Sequence, residues 1–378
     1  MDSNGDHNSA SERPVYRGEV VYIFAYDLAY EMKRHAIPSL LGQPLSQFTV
    51  DASKRSPRSG FFYRSQTARL PEVQRVSPHG ALRLQRSVKI LPVGAISITV
   101  RLPLECSTLE EMVSYHDLRF TDGRSLSEDV RQLANELRNE LQPYLVKPNA
   151  ELNEDEAYTV FCIDAPLHAA DGKTLSGEDW LRDNRRSVAA VLTEEAAPES
   201  LSDQEADEST GRYLSYYDQD LVVVDWDAAL IVDEPRYRDE VIYIMELANL
   251  QLAELEAYDR ILDSAVEQSY RDVTARRFHH IISPVAQFQE LRVDMARITD
   301  ELSNTTKFFG DWHLARTYQL LSSRFHLGEW HRAVEDKLKT LDEIYQLLKS
   351  QQTNRWMLVL EVTIVLLFVL DLVLLFWK

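Results

Sequence analysis

The sequence predicts an α+β N-terminal domain followed by an all-α, coiled-coil-like helical domain and one C-terminal transmembrane helix. Three observations lead there. Strand-type and helix-type apolar patterns alternate as far as Pro235, a seven-residue apolar repeat takes over after it, and the last residues form a long apolar run. The expected boundaries are a disordered tail over 1–14, the α+β domain over 15–235, the helical domain over 236–354 and a transmembrane anchor over 355–378.

The opening residues, MDSNGDHNSASERP, hold Asp2, Asp6 and Glu12 and no apolar stretch, so they match neither a secretory signal nor an acid-poor presequence. Val20 to Tyr26 is apolar on both faces, as in a strand covered on both sides, and Asp27 can cap a helix toward Pro38. Ile96, Ile98, Val100 and Leu102 alternate with Ser97, Thr99 and Arg101, the pattern of a half-buried strand. Ser107 with Glu110 and Ser125 with Glu128 have capping-box spacing, and Val130, Leu133, Leu137 and Leu141 follow the second pair at helical intervals. Ala157 to Ile163 reads as a strand and Trp180 to Leu192 as a helix. Residues 193–210 carry too little apolar surface to fold and read as a mobile acidic loop. Leu221 to Val224 and Ala228 to Val232 read as two strands about the Asp225-Trp226-Asp227 corner.

Beyond Pro235, Val241, Ala248, Leu255 and Leu262 recur every seven residues, with Met245, Leu252, Val266 and Val273 as companions. A self-association seam made of Val241, Met245, Ala248, Leu252, Leu255 and Leu262 is therefore expected, and with it a homo-oligomer, unless the partner helix lies within the chain. Pro284 is expected to start a second helix, and Gly310 to separate it from a third that Asp311 caps. The last helix carries Trp330, Val334, Leu338, Leu341, Ile344 and Leu348 and runs into Trp356–Trp377. That terminal run is ~33 Å long at ~1.5 Å per residue, against a hydrocarbon core of ~30 Å. It implies a single-pass membrane protein with its body in the cytoplasm, Lys349 and Arg355 lying on the inner side. Glu361 and Asp371 interrupt the run, and either lean toward water or face a helix partner or polar cavity inside an oligomer.

The net charge of −19 is uneven. Between Ser53 and Arg101 stand Lys54, Arg55, Arg58, Arg64, Arg69, Arg75, Arg83, Arg86, Lys89 and Arg101 against a single acid, Glu72. Such a stretch suits phosphate, of a ribosome or of anionic lipid though not of DNA; it equally suits pairing with the chain's own acids. Cys106 and Cys162 are too few for a zinc site or a disulfide framework. No glycine-rich phosphate loop, nucleophile elbow or HExxH pair occurs, so no catalytic residue, cofactor or metal is expected. Asp218, Asp220, Asp225, Asp227 and Asp233 could hold magnesium, but turns and strand ends recruit aspartate too. His279, His280, His313, His326 and His331 form no i, i+4 pair and read as ordinary helix residues.

Residues 215–233, SYYDQDLVVVDWDAALIVD, and 307–372, with the runs FFGDWHLAR and EWHRAVEDKL and an anchor holding an early glutamate, resemble the "required for meiotic nuclear division" family. That resemblance implies a membrane-associated homomeric scaffold linked to translation, with no catalytic residues to carry over. The missing presequence points to a bacterial inner membrane. The expected function is a non-enzymatic membrane scaffold or tether that self-associates and holds a cytoplasmic partner, such as the translation machinery. The alternative is an enzyme with a carboxylate or metal site in the α+β domain, which a concave pocket lined by the aspartates would favour.

Overall fold

The computed structural model describes residues 16–33, 37–47, 66–91, 94–149, 152, 156–167, 173–274 and 312–376. Its described residues fall into two compact units, one taking in 16–254 and 312–328, the other 255–274 and 329–376.

The first unit is built on a large mixed sheet. Its central strand, β1 (Tyr16–Asp27), is the run read as apolar on both faces, and Val20 to Tyr26 are all buried. On one side β1 pairs antiparallel with β8 (Ala95–Cys106), from Tyr16 opposite Cys106 to Asp27 opposite Ala95. On the other side it pairs antiparallel with β10 (Glu156–Asp164), and there Gly18 is required. A Cβ at Gly18 would sit 1.8 Å from the Cys162 carbonyl oxygen. Beyond β8 lie β7 (Gly80–Ile90), β6 (Gln66–Ser77) and short β5 (Ser46–Gln47); beyond β10 lie β13 (Ala228–Asp233), β12 (Leu221–Val224) and β11 (Tyr213–Leu214). β10 and β13 run parallel, in register from Thr159 opposite Ala228 to Asp164 opposite Asp233, so their carboxyl ends finish side by side.

Helices cover both faces. Phe24, Ile98, Phe161 and Leu230 face α1 (Glu110–Val113), α2 (Leu126–Leu141), α3 (Gly177–Asp183) and α4 (Arg185–Leu192) in one continuous core. Each large side chain buried there contributes roughly 1.5–3 kcal/mol of transfer free energy. The Ser125–Glu128 capping box starts α2 as its spacing indicates. The opposite face carries the first half of α6 (Pro235–Thr274). Asn249 Nδ2 donates to the Glu156 carbonyl at 2.9 Å, and Leu250 and Ala253 pack with Ala25, Leu91 and Ala95. Here β8 departs from the half-buried pattern: Ser97 and Thr99 are buried, because Glu246 of α6 accepts from Ser97 Oγ at 2.6 Å and from Thr99 Oγ1 at 3.4 Å and pairs with Lys89.

Several expectations are corrected. Where a helix is expected after Asp27, the described residues form β2 (Ala29–Met32), whose partner is the distant β9 (Leu145–Pro148). The acidic loop at 193–210 contains α5 (Asp203–Thr210), capped by Ser202 and held by Arg185–Asp207 and Arg186–Asp203 pairs; it buries Ala206, Ser209 and Thr210. An α+β domain followed by a separate all-α domain and a transmembrane helix is not what folds. The architecture is mixed α/β, a large sheet with C-terminal helices, because α6 up to Glu254 belongs to the sheet's own unit. The helices expected from Pro284, Gly310 and Asp311 fall outside the described residues.

The remaining helices are α7 (Trp312–Arg324) and α8 (Leu327–Phe376). In the second unit, Leu262, Val334 and Leu341 are buried, and Lys337 of α8 reaches Asp259 at 2.5 Å and Asp263 at 2.6 Å on α6. The anchor is the other correction. Among the described residues no helix is long and apolar enough to cross a membrane. The expected single-pass membrane location, bacterial inner membrane included, falls with the anchor.

Candidate functional site

Where β10 and β13 end together, a cavity of about 870 Å³ opens in the first unit. The carboxyl ends of parallel strands are where open α/β sheets commonly receive ligands. The lining comes from the SYYDQD loop before β12 (Tyr216, Tyr217, Asp218, Gln219, Asp220), the strand-to-helix turn (Asp233, Glu234, Arg236, Tyr237, Glu240, Val241), Ala165 after β10, and His313 and Leu314 of α7.

The loop is built by its own aspartate. Asp220 Oδ1 accepts the backbone N–H groups of Tyr216 at 2.6 Å and Tyr217 at 3.0 Å, folding the loop over. The Gly177 N–H donates to the Asp218 carbonyl at 2.8 Å, tying the loop to the start of α3. Asp220 is only 9% exposed, and its Oδ2 accepts no hydrogen bond from the described residues. The ring of Tyr216 meets Tyr217 and His313 edge-on, at 4.8 and 5.6 Å between centroids.

The strand ends are held by buried Arg238. It pairs with Asp164 and donates through Nε and Nη2 to the Asp233 carbonyl at 3.2 and 2.9 Å. The Asp233 side chain borders the cavity; its Oδ1 accepts the Glu234 N–H at 2.7 Å. Burial raises the Asp233 pKa above the ordinary carboxylate value, Asp220 adding to the rise while the Glu234 N–H, His313 and Arg238 oppose it. Arg236 is spent at the rim, paired with Glu234 at 2.8 Å and lying over the Tyr237 ring at 4.5 Å. Carboxylates and tyrosine rings dominate the wall.

Of the five aspartates singled out from the sequence, three line this cavity. Asp225 instead forms a buried pair with Arg324 of α7, which also donates to Glu208 at 2.9 Å. No group of three metal-ligating side chains converges among the described residues. His326 stacks on Trp226 at 5.0 Å and His331 faces Glu335 at 3.3 Å, while His279 and His280 lie outside the described residues.

The basic stretch is divided. Lys54, Arg55, Arg58 and Arg64 lie outside the described residues, and Arg69 is exposed. Arg75 reaches Asp129 at 2.5 Å and Asp122 at 3.3 Å, Arg86 the Pro71 carbonyl at 3.1 Å, Lys89 pairs with Glu246 and Arg101 with Asp239 at 2.7 Å, while Arg83, 3.5 Å from Glu72, stays exposed. The expected membrane partner is withdrawn with the span; among the described residues of the basic stretch, Arg69 and Arg83 remain exposed, so little of the surface expected to meet a ribosome is described. Of the six seam residues, Val241, Met245, Ala248, Leu255 and Leu262 are buried within the chain and Leu252 is half-buried. Glu361 sits on an exposed apolar stretch of α8, and the side chain of Asp371 is not among those described.

The family model for "Uncharacterized protein MJ0711, N-terminal domain" matches residues 17–238. The chain belongs to that family. This replaces the resemblance to the meiotic nuclear division family, which no comparison supports. Similarity extends to the uncharacterized protein MJ0711 of Methanocaldococcus jannaschii, 25% identical over 244 residues, covering 64% of this chain and 72% of that protein. No solved structure matches. The MJ0711 N-terminal domain runs from β1 to the first turn of α6, so it contains Asp220, Asp233 and the tyrosine pair, while His313 and Leu314 come from beyond it. The cavity joins four segments spread between residues 165 and 314, which no local pattern reveals; the one local signal is an aspartate closing a strand just before a helix-starting proline.

Proposed function

We propose that this chain is a non-enzymatic scaffold that self-associates through α8 and presents its α/β unit to a partner. The observation behind this reading is the stretch Met357–Val373, where fourteen large apolar side chains are between 41 and 67% exposed on every side of the helix. A helix apolar all round is stable only when something covers it. At roughly 60 Å² of exposed apolar surface per side chain, estimated from ~25 cal/mol per Å² and 1.5–3 kcal/mol for full burial, the stretch offers on the order of 800 Å². That is what each partner of a standard interface contributes. Because the heptad residues of α6 are already packed, they are unavailable for this contact, and α8 supplies it instead.

The test is light scattering of the full chain over a dilution series, beside a variant carrying Leu360→Gln, Leu366→Gln and Leu370→Gln. The scaffold reading expects a wild-type oligomer that the variant loses. A wild-type monomer at high concentration contradicts it, as does transfer of the wild type into lipid vesicles with no self-association. A second reading, an enzyme using carboxylates of the α/β unit, draws support from the cavity and from the raised pKa of Asp233, which suits proton transfer.

A further inference from the structure

The cavity at the ends of β10 and β13 goes beyond the scaffold reading and rests on different residues. Its volume of about 870 Å³ lies within the ~300–1,000 Å³ range of small-molecule sites. Its charge is one-sided. Asp218, Asp220, Asp233, Glu234 and Glu240 border it, and the arginine at its rim is engaged by Glu234 and Tyr237. Asp220 is the decisive group: nine-tenths buried, its Oδ1 locked by two backbone N–H groups, with Oδ2 accepting nothing from the described residues. Oδ2 is not among the side-chain oxygens shut away from solvent, so a cation in the cavity would meet it by displacing water.

The arrangement also discriminates among cations. A bound metal needs several oxygens converging at 2.0–2.6 Å, and no such group exists among the described residues. The carboxylates are instead distributed around the cavity, and Tyr216 and Tyr217, whose rings meet edge-on, share its wall. Spaced carboxylates match a ligand whose positive charges are also spaced, and tyrosine faces accept both methylenes and ammonium groups. We propose that this cleft binds a linear organic polycation of the polyamine class, with ammonium groups on Asp220 and Asp233 and its methylene chain along Tyr216 and Tyr217.

A chain of net charge −19 attracts any polycation weakly, so the test must separate site from field. Spermidine is titrated calorimetrically into the full chain at ~150 mM salt, where surface charges are screened beyond ~8 Å. The expected result is one saturable site per chain. Tyr217→Ala, which leaves charge unchanged, and Asp233→Asn, which removes one charge and keeps the Oδ1 acceptor, should each weaken binding about tenfold or more. Glu199→Gln, exposed and away from the cavity, should not change it. Affinity should also fall as pH is lowered through the raised pKa of Asp233, because protonation removes an ammonium partner. Thermal melts of each variant confirm that it is folded. No saturable binding, equal weakening by Glu199→Gln, displacement by equimolar magnesium, or tighter binding of a tetralysine peptide than of spermidine would each overturn the assignment. None of these outcomes depends on oligomeric state, so this proposal and the scaffold reading fail separately.

Discussion

Replacing Arg324 with leucine should be among the costliest single polar substitutions in the chain. Arg324 is 4% exposed; its Nε donates to Asp225 Oδ1 at 2.9 Å, Nη2 reaches the same oxygen, and Nη1 donates to Glu208 at 2.9 Å. Its guanidinium also lies over the Trp226 ring at 5.4 Å. Arg324→Leu leaves the Asp225 carboxylate buried with, among the described residues, only the Trp226 N–H donating to it, at 2.8 Å. Breaking a buried pair from one side costs ~3–5 kcal/mol, a large part of the ~5–15 kcal/mol that holds a typical domain together. Adding Asp225→Asn removes the stranded charge and keeps the acceptor for Trp226, so the double variant should recover ~2 kcal/mol of that loss. The assay is urea denaturation of the full chain followed by tryptophan fluorescence, comparing midpoints for the transition in which Trp226 is released. A loss below ~1 kcal/mol for Arg324→Leu, or a double variant as destabilised as the sum of the singles, would refute the view that this pair clasps α7 to the Asp225 corner.

Three further outcomes follow from the same packing. Asp233 has its folded pKa raised by burial, so its contribution to stability is present below the unfolded value of ~3.9 and is lost as pH rises through the folded value. Asp233→Asn should therefore melt higher relative to wild type at pH 7 than at pH 4, and a constant difference would contradict the assignment. Leu255, 1% exposed within the chain, should cost ~2–5 kcal/mol as Leu255→Ala in the same denaturation assay, whereas a shift in oligomeric state without loss of stability would place it at an intermolecular seam. Gly18→Ala should sharply lower the melting temperature, because the new Cβ meets the backbone of β10 rather than a movable side chain; an unchanged melt would show that β1 and β10 can part at that point.

What the sequence made legible was local. The two-faced burial of Val20 to Tyr26, the Ser125–Glu128 box and the strands flanking Asp225-Trp226-Asp227 each follow from spacing within a dozen residues, and the structure contains them. What it hid was long-range. β2 is a strand only because β9, more than a hundred residues later, pairs with it, so Asp27 alone misleads toward a helix. Ser97 and Thr99 look solvent-facing until Glu246 arrives from α6. The seven-residue repeat after Pro235 is equally compatible with a helix laid on a sheet and with a coiled coil, since both need one apolar stripe, and periodicity does not name the partner. α5 is obscured by composition, because its few apolar residues are outweighed by acids whose partners, Arg185 and Arg186, lie on another helix. The cavity has no spacing signature because Asp220, Asp233 and His313 converge only through the fold.

Whether the exposed apolar stretch of α8 meets its counterpart in a second copy of the chain has a direct chemical test. Cys106 and Cys162, the two cysteines of the sequence, are both buried, so Leu366→Cys places a single accessible thiol in the middle of the stretch. Under mild oxidation at micromolar concentration, a self-associated α8 predicts a covalent dimer linked through position 366. A monomer whose new thiol is labelled by maleimide at the rate of a free thiol would contradict it.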